Sequence, residues 1–191
     1  MSAEVKFGAL SSPVNIVVAV DSAGGFGYQG NIPWKDEPFQ KADWKRFKEL
    51  TTDGCVVMGR KTYEEIVRIQ IARGKVIGDD LLPGRVCIVL SSTLPKDTKG
   101  IVIQPSLRAA REFWFDTNSK FPINVIGGEK LFIEALSIAD NVMMTIIKKA
   151  YQCDRFFPIK YLDKHFKITN GKELDDLYFV TYTRNPEMRY G

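Results

Sequence analysis

One histidine, three cysteines and no long apolar run limit what this 191-residue chain can be. His165 alone cannot build a histidine triad or a multi-histidine metal centre. Cys55, Cys87 and Cys153 are odd in number, widely spaced and mostly set in apolar runs, without a C-x-x-C pattern. That arrangement predicts reduced core thiols rather than disulfides or metal ligands, and no metal site is expected. An apolar run of about 18 residues, the length that spans a bilayer, is missing, so no membrane association is expected. The first residues lack the basic start and apolar core of a secretory signal, and the expectation is a soluble, cytoplasmic protein. Neither G-x-G-x-x-G nor a Walker sequence occurs, which removes the usual Rossmann fingerprint and the P-loop. There is no repeat, low-complexity tract or linker.

What remains is ordinary in bulk. Hydrophobic residues make up 45% and charged residues 26% of the chain, a globular composition, and the length suits one domain with a sizeable core. The net charge of +4 comes from scattered cations rather than a dense stripe interleaved with aromatics. Nucleic acid is therefore not an expected partner, whereas small anions such as phosphates and carboxylates are.

Residues 1–13 read as an N-terminal extension and 14–191 as a single domain. The apolar run over 14–20 is too short for a helix and predicts a strand buried on both faces. Gly24, Gly25, Gly27 and Gly30 follow, a density that predicts a tightly folded or mobile loop. Helical periodicity runs over 39–50. A strand over 55–58 leads through Gly59-Arg60-Lys61-Thr62 into a helix ending near Arg68, and the segment 69–80 gives no clear element. Strands are expected over 85–90, 101–103 and 123–126. Ser106 N-caps a helix over 107–116, and Gly127-Gly128 opens one over 129–139. After that come strands alone, over 142–147, 166–169 and 178–183, the last two separated by Asn170-Gly171 and acidic residues. This order predicts an α/β fold: a twisted, mostly parallel eight-stranded sheet, helices on both faces, and an antiparallel C-terminal edge.

Asp43 and Phe47 stand at i and i+4, and Trp44 and Phe47 at i and i+3, so one carboxylate shares a stripe with aromatics. Burying that charge is costly without a partner or a ligand that needs it. Asp43 is therefore a functional candidate and the single buried acid expected, although a carboxylate facing the helix dipole is an equally open reading. Ligands in open α/β sheets gather at the carboxyl ends of strands. Four loops stand there: 27–34, Gly59-Arg60-Lys61-Thr62, Ser91-Ser92 and Gly127-Gly128. Each alone is also readable as a plain turn or a solvated helix start. Together they describe a dinucleotide across the sheet edge, with an extra phosphate facing Arg60.

These residues also carry a family resemblance. Ile32-Pro33-Trp34, Asp43 with Phe47, Val57-Met58-Gly59-Arg60-Lys61-Thr62-Tyr63, Leu82-Pro83-Gly84-Arg85, Leu90-Ser91-Ser92, Val125-Ile126-Gly127-Gly128 and Thr145 occur in order. From about Val14 to Pro158 the chain resembles dihydrofolate reductase. The resemblance implies NADPH-dependent reduction of 7,8-dihydrofolate to 5,6,7,8-tetrahydrofolate, by hydride transfer to C6 and protonation at N5. The product would supply one-carbon and thymidylate metabolism. Antifolates would be ligands, and the chain would act as a monomer.

The resemblance also implies roles. Asp43, Trp34 and Thr145 would form the catalytic set, with Asp43 gripping the pterin and Thr145 orienting its carboxylate. Val17 and Val18 would meet the other pterin edge through their carbonyls. Trp44, Phe47 and Ile66 would sandwich the ring and p-aminobenzoyl group, with Ile32, Leu82, Ile126 and Phe132 completing the substrate walls. Arg85 would take the glutamate α-carboxylate. Arg60, Ser92, Lys61 and Gln104 would hold the adenosine 2′-phosphate, and Thr62, Gly127, Gly128, Glu129 and Lys130 the pyrophosphate. Val18, Ala19, Ile32, Gly59, Leu90, Ser91, Ile126, Leu131 and Phe132 would make the remaining cofactor contacts.

The chain departs from the commoner family pattern in four places: a long spacer over 35–42, a long insert over 69–81, Phe132 for a tyrosine, and Cys153-Asp154 for Gly-Asp. The spacer raises Asp36 and Glu37 as competitors for the acid. Alternatives are the related NADPH-dependent reductase of riboflavin synthesis and a non-catalytic folate- or dinucleotide-binding module.

Overall fold

The computed structural model describes residues 12–74 and 80–188. Most of the expected N-terminal extension, and residues 75–79 of the expected insert, lie outside the described residues.

The apolar run becomes β1 (Val14–Val20), and the glycine loop contains a short β2 (Gly25–Gly27). α1 (Gln40–Thr51), β3 (Cys55–Gly59), α2 (Arg60–Ala72), β4 (Val86–Leu90) and β5 (Val102–Gln104) follow. α3 (Leu107–Asp116) starts at Ser106, whose hydroxyl accepts from the Ala109 amide, as the capping preference predicts. β6 (Ile123–Gly127), α4 (Glu129–Leu136), β7 (Asn141–Ile147), β8 (Arg155–Phe156), α5 (Ile159–His165), β9 (Phe166–Glu173) and β10 (Leu177–Arg184) complete the order.

Eight strands form one sheet in the order β5-β4-β3-β6-β1-β7-β10-β9. β1 pairs in parallel with β6 and β7, while β10 runs antiparallel to β7 and β9. From β1 the chain steps toward β3 and β4; from β5 it returns through β6 to β7. Right-handed crossovers then put α1 and α2 on one face and α3 and α4 on the other. Alternation along the strands agrees. Cys55 and Val57 pack with Leu107, Trp114 and Leu136 on the α3/α4 side, and Val56 and Met58 with Phe47 and Ile66 on the α1/α2 side. Because the chain leaves β1 and its neighbour β6 in opposite directions, the crevice at their carboxyl ends is a topological switch point.

The structure differs from the sequence reading at several places. α2 continues past Arg68 to Ala72, and its Gln70 side chain donates to the Leu81 carbonyl, tying the helix end to the far side of the insert. β2 pairs with β8 as a separate two-stranded ribbon, an element too short for periodicity to reveal. Asn170-Gly171 does not end β9; pairing with β10 carries the strand to Glu173, past an irregularity opposite Thr181 and Tyr182. Gly171 leaves room there for the Tyr178 ring, whose hydroxyl would otherwise have to shift to admit a Cβ. Arg184 is buried and donates to the carbonyls of Ala139 and Leu136, satisfying groups at and just beyond the end of α4.

Candidate active site

A cleft of about 180 Å³ opens between the glycine loop, α1 and α2 above the carboxyl ends of β1 and β6. Asp43, in the first turn of α1, lines it. The Thr145 hydroxyl on β7 donates to the Asp43 carboxylate. Burial raises the Asp43 pKa above the ordinary carboxylate range; the Thr145 hydrogen bond and the nearby Arg46 charge oppose that shift without cancelling it. Of the three acids in play, Asp36 is exposed and Glu37 accepts from the Tyr151 hydroxyl at 2.8 Å and Lys149 Nζ at 3.3 Å. Only Asp43 among them faces the cleft.

The walls are largely those the sequence named. Val17, Val18, Ala19, Ile32, Trp34, Trp44, Phe47, Thr62, Ile66, Ile126, Gly127, Gly128 and Phe132 all line the cleft. Trp44 meets Phe47 edge to face at 5.7 Å, a favoured aromatic geometry. Trp34 is buried with its edge against Tyr151, also at 5.7 Å. Phe132 packs between Phe26 and Phe157, at 5.4 and 5.5 Å.

Other expected residues stand outside this cleft. Arg85 lies beside it: its guanidinium is 5.8 Å from the Phe47 ring, Nε and Nη2 donate to the Pro83 carbonyl, and Nη1 donates to Thr51 Oγ1 at 3.2 Å. Leu82 is buried beneath Phe47 and Ile66. Leu131 is buried in the core on the α3/α4 side, so only its backbone can face a ligand. Leu90, at the end of β4, packs partly buried against the same core. Ser91 Oγ accepts from the Thr93 and Leu94 amides, fixing a turn, and its own amide donates to the Gln104 carbonyl at 3.1 Å. Lys61, Ser92, Glu129 and Lys130 are exposed, and Arg60 pairs with Glu64 at 2.6 Å on the surface of α2.

The structure also holds the features a dinucleotide needs. α2 starts at Gly59 and α4 at Gly128, and neither helix has a side-chain cap. Their first-turn amides are thus left to an anion or to water. The two turns are close: a Cβ on Gly59 would stand 3.9 Å from the Gly128 nitrogen. Gly127 has φ +140°, and a Cβ there would approach Thr62 Oγ1 to 3.2 Å. Backbone, rather than side chain, lines this cradle.

Asp21, Arg46, Glu65 and Arg155 escaped the sequence reading. Asp21 is a buried acid, 1% exposed, whereas Asp43 is only partly buried at the open cleft, which corrects the expectation that Asp43 is the single buried acid. Asp21 accepts from the Ala23 and Gly25 amides and from the Tyr151 amide at 2.8 Å, so its role is to pin the glycine loop. An aspartate at a strand end before Gly-Gly was the available signal. Arg46, Glu65 and Arg155 line the cleft, and Arg155 Nη1 meets Glu65 Oε1 at 3.3 Å. The loop itself is held by Asp154, whose amide donates to the Gly27 carbonyl and whose carboxylate accepts from the Gln29 amide at 2.8 Å. Cys153 has no left-handed backbone angle, so it replaces glycine without that strain. His165 stacks on Tyr161 at 4.1 Å, outside the cleft. All three cysteines are free, and burial pushes the thiols of Cys55 and Cys87 up to about 12 and about 11. No group of residues suited to a metal ion, and no helix long and apolar enough to cross a membrane, occurs among the described residues.

The fold and cleft define an open α/β protein that binds small molecules at a topological switch point, with a backbone anion cradle beside a carboxylate-floored apolar pocket. The family model described as dihydrofolate reductase matches residues 13–184, and the chain belongs to that family. It is 32% identical over 184 residues to dihydrofolate reductase of Schistosoma mansoni, covering 90% of each chain. It is 33% identical over 142 residues to the bifunctional dihydrofolate reductase-thymidylate synthase of Paramecium tetraurelia, covering 73% of this chain and 27% of that protein. Its structure is similar to dihydrofolate reductase from Enterococcus faecalis complexed with NADP(H) and RAB-propyl. The TM-score is 0.69 at 25% identity, covering 92% of this chain and 98% of the other.

Proposed function

We propose that the chain reduces 7,8-dihydrofolate to 5,6,7,8-tetrahydrofolate with NADPH. The observation that carries this reading is the Asp43 carboxylate, hydrogen-bonded by Thr145 at the floor of an apolar cleft, in a chain of this family. The family match favours it over the riboflavin-type alternative.

When bound, NADPH supplies the hydride for C6 of the pterin. The protein's part is binding, orientation and exclusion of water. The Asp43 carboxylate accepts two hydrogen bonds from the flat edge formed by the pterin 2-amino group and N3. Thr145 holds the carboxylate in that plane. Asp43 sits on the edge away from N5, so it acts on N5 by raising the ring's proton affinity, while a water passing the 27–34 loop delivers the proton. Trp34 and Phe132 close the apolar surround, and Arg85 pairs with the glutamate carboxylate beyond Phe47. The amides opening α2 and α4, with Thr62, hold the pyrophosphate, and Arg60, Lys61, Ser92 and Gln104 hold the 2′-phosphate. A cytoplasmic monomer completes the reading, with three cysteines whose spacing suits a reducing compartment.

NADPH absorbance followed with dihydrofolate, with and without a diaminopyrimidine antifolate, tests the reading. Turnover that the diaminopyrimidine suppresses is expected. Binding of both ligands without turnover would leave a non-catalytic module instead.

A further inference from the structure

Arg46 lies one helical turn after Asp43 on α1, and both line the cleft. Positions three apart on a helix are neighbours on its surface. Each is seated on the sheet below. Asp43 receives the Thr145 hydroxyl from β7. Arg46 reaches β10, where Nη2 donates to the Val180 carbonyl at 3.2 Å and the guanidinium lies 4.5 Å from the Phe179 ring centre. Thr145 and Phe179 are cross-strand partners. One rung of the sheet therefore positions both the acid and the cation.

The guanidinium is clamped but incompletely satisfied. Arg46 Nε is the one buried side-chain nitrogen or oxygen without a hydrogen-bond partner among the described residues. Leaving a charged donor's N–H unpaired is costly, and a compensating interaction is needed to hold it there. The charge of Asp43 supplies it, since each group favours the ionised form of the other. Glu49 on the same helix also favours the Arg46 charge, while facing Lys45 at 4.0 Å, and Glu65 on α2 pairs with Arg155 on β8. β7 and β10 present a hydroxyl and an aromatic ring.

We propose that Arg46 is a positioning residue for the reaction: clamped to β10, it holds a fixed positive charge one helical turn from Asp43 and stabilises that carboxylate's charge for the substrate. Arg suits this role because its charge survives burial and its planar head stacks on an aromatic face. The proposal rests on the reading of Asp43 as the pterin grip.

The test titrates the Asp43 carboxyl by carbon-detected NMR in the ligand-free protein. Arg46→Gln raises the Asp43 midpoint by roughly one unit, and Arg46→Lys returns most of that shift. An unchanged midpoint in Arg46→Gln overturns the proposal. In the unmodified protein, the Arg46 Nε resonance must move with the same midpoint; a flat Nε titration overturns it as well, and this arm decides if the Gln variant does not fold. Both arms are free of substrate, so they can fail while Asp43 still grips the pterin. Failure of that reading appears separately, as unchanged dihydrofolate binding in Asp43→Asn.

Discussion

Thr145 on β7 donates its hydroxyl to the Asp43 carboxylate on α1, and the register sets Thr145 between Ala19 of β1 and Phe179 of β10. The acid is thus held by the middle of the sheet rather than by its own helix. Replacing Thr145 with valine keeps the shape and removes the donor. An unpaired carboxylate oxygen costs about 1–2 kcal/mol, so kcat/KM for dihydrofolate falls roughly tenfold. Steady-state kinetics checks this, with a cooperative melting transition lowered by only a few degrees showing that the fold survived.

Asp43→Asn removes the charge that grips the pterin. Loss of a charge-assisted pair of about 3 kcal/mol predicts a roughly 100-fold lower kcat/KM, measured at neutral pH. Wild-type turnover in this variant would remove Asp43 from the site.

The same variant is expected to be more stable than wild type at neutral pH. The native Asp43 pKa is raised, chiefly by burial, so over the window between the ordinary and the raised value the native state binds more protons than the unfolded state. Stability contributed by protonated Asp43 is then lost as pH rises through that window. Melting curves across pH therefore show the Asn variant gaining on wild type from acid pH upward and keeping its advantage above the window.

Arg85→Ala loses the carboxylate partner beyond Phe47 and leaves the anion cradle untouched. Dihydrofolate affinity falls by about 2 kcal/mol, roughly 30-fold, while NADPH affinity stays within about twofold. Equilibrium fluorescence titration separates the two, and parallel loss of both would mark a folding defect.

The Glu65–Arg155 pair joins α2 to the glycine-loop ribbon, and both side chains are less than a quarter exposed, at 21% and 24%. A double-mutant cycle with Glu65→Gln and Arg155→Gln is expected to give a coupling of about 1 kcal/mol. Each single variant loosens the loop and speeds ligand release, which stopped-flow displacement measures.

Gly25 and Cys153 share one space, for a Cβ on Gly25 would stand 2.5 Å from Cys153 Sγ. Gly25→Ala destabilises by about 1–3 kcal/mol through overpacking. Adding Cys153→Gly restores most of that loss, as denaturant unfolding of the single and double variants reports.

Much of this was legible in the chain itself. Apolar runs such as Val14–Val20, set between Pro13 and the segment leading into the glycine loop, marked the strands, because a strand buried on both faces of a sheet reads as a continuous apolar run. Asp43 was legible because its conflict with Trp44 and Phe47 is local, within one helical turn. Contacts between distant segments were not, apart from that of Thr145 with Asp43, which the family resemblance implied. The sequence places no signal on Arg46, Glu65 or Arg155, since a cation or acid on a helix or short strand is by default solvated, and only the neighbours show otherwise. Asp21 drew no reading at all, because the Tyr151 amide that helps to bury its carboxylate lies 130 positions away in the chain.

By itself, then, the sequence determined the elements, their order, the handed α/β wrapping and the acid on the first helix, all of which follow from local periodicity and chain connectivity. The tertiary structure decided what that acid touches. Thr145, Arg46 and the Glu65–Arg155 pair reach the cleft through sheet register and loop closure, and register is a long-range property that no single segment encodes.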